Sequence, residues 1–192
     1  MNIAYLALLF LSMPIFLDYK FYRVLVYSTV FNILVALLSM QTDVASGIVL
    51  LVFGGILFPL IMRFAIKSTE KEERESMRWM IGIMGISAIA LFLFLSYLGI
   101  TMDHILLFMI FALSIIALLI AKNLLKFLFI FDVAENVLIL AAYSFLPINV
   151  YLNLSEAMFI EIATILPFIL LTYLTIHMYK KYRSLNPWHL WQ

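Results

Sequence analysis

Apolar runs, most of them long enough to cross a bilayer, follow one another along almost the whole chain. A run of about 20 apolar residues spans the hydrocarbon core of a membrane as an α-helix. The first run is short and contains Pro14, so tilting, local thinning of the bilayer or a partly interfacial position all remain open for it. The pattern predicts an all-α, polytopic membrane helix bundle of about seven transmembrane helices, over Ile3–Leu17, Phe21–Met40, Val44–Ile66, Trp79–Gly99, His104–Ala121, Phe127–Leu146 and Ala157–Tyr179.

Composition supports a membrane protein and argues against several other classes. Hydrophobic residues make up 66% of the chain and charged residues 12%, whereas soluble domains are about 45–50% apolar and about 25% charged. Seven spans use nearly all of the 192 residues, so we expect no extramembrane domain. There are no cysteines to form a thiolate site, and a net charge of +1 gives no reason to expect nucleic acid binding.

The basic residues predict the orientation of these spans. With seven spans, all twelve Lys and Arg residues fall in or beside the first, third and fifth connections or after the last span. The positive-inside rule assigns that face to the cytoplasm. We therefore expect an N-outside, C-inside protein of the cell membrane, a prokaryotic inner membrane. The basic residues are Lys20, Arg23, Arg63, Lys67, Lys71, Arg74, Arg78, Lys122, Lys126, Lys180, Lys181 and Arg183.

Two polar segments flank the apolar runs on this face. The charged stretch Lys67–Arg78 is interpreted as a solvated turn that extends the two adjoining helices, with a docking surface as the alternative. The tail, residues 184–192, contains Trp188 and Trp191 after a basic cluster. Tryptophan is enriched at membrane interfaces, so the tail is expected to anchor there on the cytoplasmic side.

Ionisable residues within the spans are the candidates for function. Asp132, Glu135 and Asn136 stand at i, i+3 and i+4, so they share one face of the sixth helix. By the helical rise, Asp132 lies about 7 Å to the cytoplasmic side of the midplane and Glu135 within about 2 Å of it. Glu161, in the seventh span, lies about 9 Å to the outer side. The three acids could form a water-bridged ladder across the membrane.

These acids have two interpretations. They belong to an ion path, which we favour because several lie together, or they hold helices together through hydrogen bonds. Lys126 and His177 are further ion-path candidates, although a histidine at a helix end is more often an interfacial or packing residue. Two other features predict packing: Asn32 is expected to make a helix contact, and the Gly54-Gly55 pair followed by Pro59 indicates a kink or a close approach.

The second half of the chain resembles a known family. Leu107–Pro147 is similar to the first two helices of the K-type subunit of complex I and of the C-type subunit of Mrp-type antiporters. Asn123-Leu124-Leu125-Lys126 matches the turn of that family, Asp132 stands at its buried Glu and Asn136 at its Asn. The third family helix resembles Glu156–Arg183. The extra spans before this half are similar to those of component E of formate-hydrogenlyase-type (group 4) membrane hydrogenases.

The resemblance implies a division into an N-terminal four-helix extension, residues 1–103, and a three-helix K-type region, residues 104–183. It also implies a non-catalytic membrane subunit of an oxidoreductase complex, lying beside antiporter-like subunits and helping to couple ferredoxin, quinone or H₂ chemistry to H⁺ or Na⁺ translocation. Redox cofactors would belong to partner subunits, and no catalytic, cofactor-binding or metal-binding residue is expected in this chain.

Two other functions compete with this one. The chain could be a small-solute transporter or the substrate-binding membrane component of a vitamin importer, with a site near midplane polar groups. A lipid-modifying membrane enzyme would need a clustered metal site or an activated nucleophile, and the sequence has no such spacing.

Overall fold

The computed structural model describes residues 3–18, 20–69, 78–145 and 154–185 of the chain. Within these ranges the chain forms seven helices, and it contains no strand. They are α1 (Ile3–Leu17), α2 (Phe21–Met40), α3 (Val44–Ser68), α4 (Arg78–Tyr97), α5 (Met102–Ile120), α6 (Leu124–Phe145) and α7 (Leu154–Tyr182). The predicted all-helical bundle is confirmed. Residues 70–77 and the tail anchor at Trp188 and Trp191 lie outside the described residues.

Four segments are long and apolar enough to cross a membrane: Phe21–Ser39, Val44–Ser68, Met102–Ile120 and Ile162–Tyr182. Ile3–Leu17 and Ile81–Tyr97 are shorter apolar helices. α6 is 22 residues long and contains Lys126, Asp132 and Glu135. Large apolar side chains also cover much of the outer surface of the bundle, so the fold is that of a helical membrane protein.

Polar side chains at the turns determine where several helices begin. The Asp43 carboxylate accepts hydrogen bonds from the amides of Ala45 (3.2 Å) and Ser46 (3.1 Å) at the start of α3. Asn123 Oδ1 accepts from the amides of Leu125 (2.9 Å) and Lys126 (3.4 Å) at the start of α6. Each side chain satisfies amides that have no partner within the helix, which is the usual role of an N-cap.

α3 changes its winding halfway along its length. Phe53–Leu57 forms a π-helical turn between α-helical Val44–Val52 and Phe58–Ser68, and the amide of Phe58 donates to the carbonyl of Phe53. Pro59 follows this turn at the start of the second α-helical part. Proline lacks an amide hydrogen and clashes with the carbonyl four residues earlier, so it favours such a wide turn in the preceding residues. The glycine pair lies within this π-turn and Pro59 directly after it.

Two hydrogen bonds join three connections at one end of the bundle. Lys126 Nζ donates to the carbonyl oxygen of Asp18, which links α6 to the α1–α2 turn. The amide of Leu124 donates to the carbonyl of Leu185 at 3.0 Å, which links the same region to the chain after α7. This end, called the basic end below, is where α2 and α6 begin and α3 and α7 finish. Its connections and adjacent helix ends contain Lys20, Arg23, Lys67, Lys122, Lys126, Lys180 and Lys181.

The core lies between α1, α2, α3, α5 and α6. The main cluster of buried apolar residues extends from Leu8 in α1 to Leu185 after α7, and a smaller one, formed by Leu95, Ile105 and Met109, lies between α4 and α5. α4 contributes one buried residue, Met84, to the main cluster. α7 packs mainly against α3. α2, α3, α6 and α7 therefore surround the interior in which the polar residues of α6 lie.

Candidate functional site

Asp132 and Asn136 face the interior of the bundle from α6. They are 7% and 6% exposed, so both side chains are withdrawn from the surface. Asn136 Nδ2 lies 2.9 Å from the carbonyl oxygen of Asp132 and 3.2 Å from its Oδ1. Because the two residues are one turn apart, the Asn136 amide bridges the backbone and the carboxylate of Asp132.

α2 supplies further donors to the same carboxylate. Ser28 Oγ donates to Asp132 Oδ2 at 3.1 Å, and Asn32 Nδ2 lies 3.0 Å from Oδ2 and 3.4 Å from Oδ1. Ser28 and Asn32 are one turn apart on α2 and are 0% and 1% exposed. An ionised carboxylate is acceptor-only, so hydroxyl and amide donors suit it at a depth where water is scarce.

The π-turn of α3 completes this arrangement. Asn32 Nδ2 also lies 3.1 Å from the carbonyl oxygen of Gly54, and Asn32 Oδ1 accepts from Asn136 Nδ2 at 3.3 Å. A Cβ atom built on Gly54 would lie 3.4 Å from Asn32 Cβ, so α2 and α3 approach closely here, as the glycine pair predicted. Ser28, Asn32, Asp132, Asn136 and the Gly54 carbonyl are called the polar cluster below.

A small cavity adjoins the polar cluster on the side of α7. Its volume is about 30 Å³, which is room for at least one water molecule or a small cation. Glu135 and Thr164 both line it, and the Glu135 carboxylate accepts a hydrogen bond from the Thr164 side chain. The edge that the cavity shares with the polar cluster is formed by Asp132, Asn136 and Gly54. The remaining wall is apolar and is formed by Phe53, Phe58, Ile165 and Phe168.

The other predicted ion-path residues lie apart from this cavity. Lys126 is buried at the basic end, about 9 Å along α6 from Asp132. His177 is exposed near the end of α7, where its ring stacks on Tyr173 with centroids 6.2 Å apart. Glu161 belongs to α7, one turn before Thr164, but its side chain lies outside the described part of the chain. The structure thus brings together Asp132, Glu135 and Asn136, and it places Lys126 and His177 elsewhere.

Sequence reasoning missed Ser28 and Thr164 and took Asn32 for a packing contact. Ser28 and Asn32 are spaced i, i+4 within an otherwise apolar helix, which is a signal that one polar face points inward. Thr164 has a weaker signal, since a threonine in a membrane helix commonly bonds to its own backbone. In the described residues, His, Cys, Asp and Glu do not gather in groups of three or more that could hold a metal ion.

The arrangement provides two acids in different surroundings. The Asp132 carboxylate accepts hydrogen bonds from donors on two helices, whereas the Glu135 carboxylate, partly buried, faces a cavity beside one hydroxyl group. An acid beside a water-sized space can exchange a proton or bind a small cation without breaking a helix contact. No protein-family model, curated protein or solved structure was found to match the chain.

Proposed function

We propose that the chain is a multi-pass protein of the cell membrane with seven spans, its N-terminus outside and its C-terminus in the cytoplasm. The grouping of basic connections at one end of the bundle supports this orientation through the positive-inside rule. α1 is 15 residues long, which corresponds to about 22 Å, less than the hydrocarbon thickness of about 30 Å. As a span, α1 would tilt or thin the bilayer locally.

Within that membrane the chain serves as a non-catalytic subunit that carries H⁺ or Na⁺. The observation behind this is the polar cluster with the Glu135 cavity beside it, about 12 Å or more along α6 from the basic end. Ionisable groups at such a depth are costly, by about 2.5–3.5 kcal/mol each on insertion scales, and most of those in membrane proteins lie on substrate or ion pathways.

The two acids have separate tasks in this mechanism. Asp132 accepts hydrogen bonds from Ser28, Asn32 and Asn136, so moving its carboxylate would leave buried donors without acceptors. Glu135 shares a hydrogen bond with Thr164 and borders the cavity. Glu135 is therefore the group that takes up and releases the ion, and Asp132 holds the adjoining helices together.

The resemblance described above supplies the setting. It favours a position among the membrane subunits of a complex I-like or membrane-bound hydrogenase complex, next to antiporter-like subunits. The Asn123–Lys126 turn, Asp132 and Asn136 are the positions that support this setting. The redox chemistry and its cofactors belong to the partner subunits.

Solute transport receives less support from the geometry. The cavity at Glu135 has a volume of about 30 Å³, whereas sites for small organic ligands occupy about 300–1,000 Å³. A groove of about 620 Å³ between α4 and α5 is large enough, but Ser87 is the polar residue in a lining that is otherwise apolar. A vitamin-sized polar ligand would find few partners there.

The test measures ion pumping and electron transfer together in the assembled complex, isolated through a tag on this chain and reconstituted in vesicles. We expect the Asp132→Asn and Glu135→Gln double variant to abolish pumping while electron transfer stays measurable. Asp103→Asn, which changes an acid in the first turn of α5, is the matched control and should pump normally. Wild-type pumping by the double variant would contradict the mechanism, and co-purification with an ATP-binding cassette instead of redox subunits would favour the importer.

A further inference from the structure

Four buried phenylalanines from four helices form a continuous layer across the interior. Phe21 and Phe129 stack with centroids 6.5 Å apart, Phe129 meets Phe58 edge-on at 5.9 Å, and Phe58 contacts Phe168 at 4.9 Å. Each of the four side chains is at most 5% exposed. Phe21, Phe58, Phe129 and Phe168, from α2, α3, α6 and α7, are called the Phe layer below.

In α2 and α6, which begin at the basic end, the phenylalanine comes before the polar residue. Phe129 precedes Asp132 by three residues, and Phe21 precedes Ser28 by seven. These offsets correspond to about 4.5 Å and about 10 Å along the two helices. On α6 the Phe layer therefore lies between the polar cluster and the basic end, and on α2 it lies at the basic end itself.

In α3 and α7, which finish at the basic end, the phenylalanine comes after the polar residue of the cluster or cavity. It therefore again lies nearer the basic end than that residue does. Phe58 follows Gly54 by four residues, and Phe168 follows Thr164 by four, which is about one helical turn on each helix. Phe58 and Phe168 also line the cavity itself. Phe58 and Phe168 thus form the wall of the cavity that faces the basic end, and Phe129 and Phe21 extend the layer from Phe58 towards α6 and α2.

On α3 and α6, fully buried apolar side chains also lie beyond the Phe layer. Met62 on α3 and Leu125 on α6 are both fully buried, at 0% exposure, one turn nearer the basic end than Phe58 and Phe129. Narrow passages lined by apolar side chains expel water, and membrane channels use this effect to stop ions. A layer of interlocked rings backed by such residues is a strong barrier to hydrated ions.

We propose that the Phe layer is a hydrophobic seal that prevents water and ions from passing between the Glu135 cavity and the basic end of the bundle. The purpose of the seal rests on the proposed ion-carrying function, whereas the seal itself is a property of the fold. Ions would then enter and leave the cavity by the opposite end or by the side of the bundle until the rings separate. Phe58 is the central residue, since it contacts two other members of the layer and the cavity.

The absence of cysteine from the chain allows a direct accessibility test. A single cysteine introduced by Ile165→Cys reports on the cavity, because Ile165 lines it without belonging to the polar cluster. Ag⁺ is applied to oriented proteoliposomes of the full chain from the basic side, and unreacted thiol is counted after denaturation. The rate is compared in the parent, in Phe58→Ala and in Phe64→Ala, where Phe64 is 65% exposed on the same helix.

We expect slow reaction from the basic side in the parent and in Phe64→Ala. In Phe58→Ala the rate should rise about tenfold or more, the equivalent of a barrier lowered by about 1.4 kcal/mol. Phe168→Ala should raise it as well, and it replaces Phe58→Ala if that variant does not fold. A parent rate already as fast as that of the Phe58 variant, or no increase in either variant over Phe64→Ala, would overturn the seal. The assay involves no ion pumping, so a chain that fails the pumping test can still show the seal.

Discussion

Asn32 is the residue through which the polar cluster joins three helices, and replacing it with alanine tests that role. Its amide donates to Asp132 on α6 and to the Gly54 carbonyl on α3, and its Oδ1 accepts from Asn136. Asn32→Ala removes all of these contacts at a site that is 1% exposed. Since the changed side chain lies on α2, the effect is expected in the packing of α2 against α3 and α6.

The expected loss of stability follows from these contacts. Hydrogen bonds between membrane helices average about 0.6 kcal/mol each, with a maximum of about 1.7 kcal/mol. Losing three of them amounts to about 2 kcal/mol, and leaving buried acceptors without donors adds about 1–2 kcal/mol. Thr29→Ala is the matched control: the Thr29 hydroxyl donates to the Leu25 carbonyl within α2 at 2.7 Å, so its removal should cost less than about 0.5 kcal/mol.

Reversible unfolding in mixed micelles, titrated with sodium dodecyl sulfate and followed by circular dichroism, measures both free energies of unfolding. A double-mutant cycle with Asp132→Ala isolates the contact with the carboxylate and should give a coupling of about 1 kcal/mol. If Asn32→Ala and Thr29→Ala cost the same, or if the coupling is zero, Asn32 does not join the helices in the way described here.

Two further predictions use the same unfolding assay. A Cβ on Gly47 would clash with Met40 Cγ and lie 2.7 Å from the Met40 amide nitrogen, so Gly47→Ala should destabilise the fold by about 1–3 kcal/mol. A Cβ on Gly82 would have no neighbour within 4 Å, so the control variant Gly82→Ala should be neutral or stabilising by up to about 1 kcal/mol. Equal effects at the two glycines would contradict the close contact at Gly47. Lys126→Met, at a buried position that donates to the turn between α1 and α2, should cost about 1–3 kcal/mol. Lys122→Met, at an exposed position of the adjoining connection, should change stability by less than about 0.5 kcal/mol, and an equal loss in both would refute the role given to Lys126.

The helices were predictable from the sequence because apolar runs and polar turns alternate so clearly. The first two predicted runs coincide with α1 and α2, and the other runs correspond to helices within a few residues at each end. The largest differences arise where a helix continues past its apolar run into charged residues, as at Leu124–Lys126 and Lys180–Tyr182. Lysine is a good helix former, so it does not end a helix in the way that it ends a hydrophobic segment.

The site was predictable only on the helix where spacing brings its residues together. Asp132, Glu135 and Asn136 share a face of α6 by the helical repeat alone, and so they could be found without a structure. The partners of Asp132 could not, since Ser28 and Asn32 are 104 and 100 residues away in the sequence. The spacing also gives no way to tell the two acids apart, because a residue at i+3 is on the same face as its neighbour. The difference between them depends on which helices are packed against that face: α2 supplies donors to Asp132, whereas α7 leaves a cavity beside Glu135. It is this packing, and not the number of buried acids, that distinguishes a carboxylate that holds helices together from one that can carry an ion.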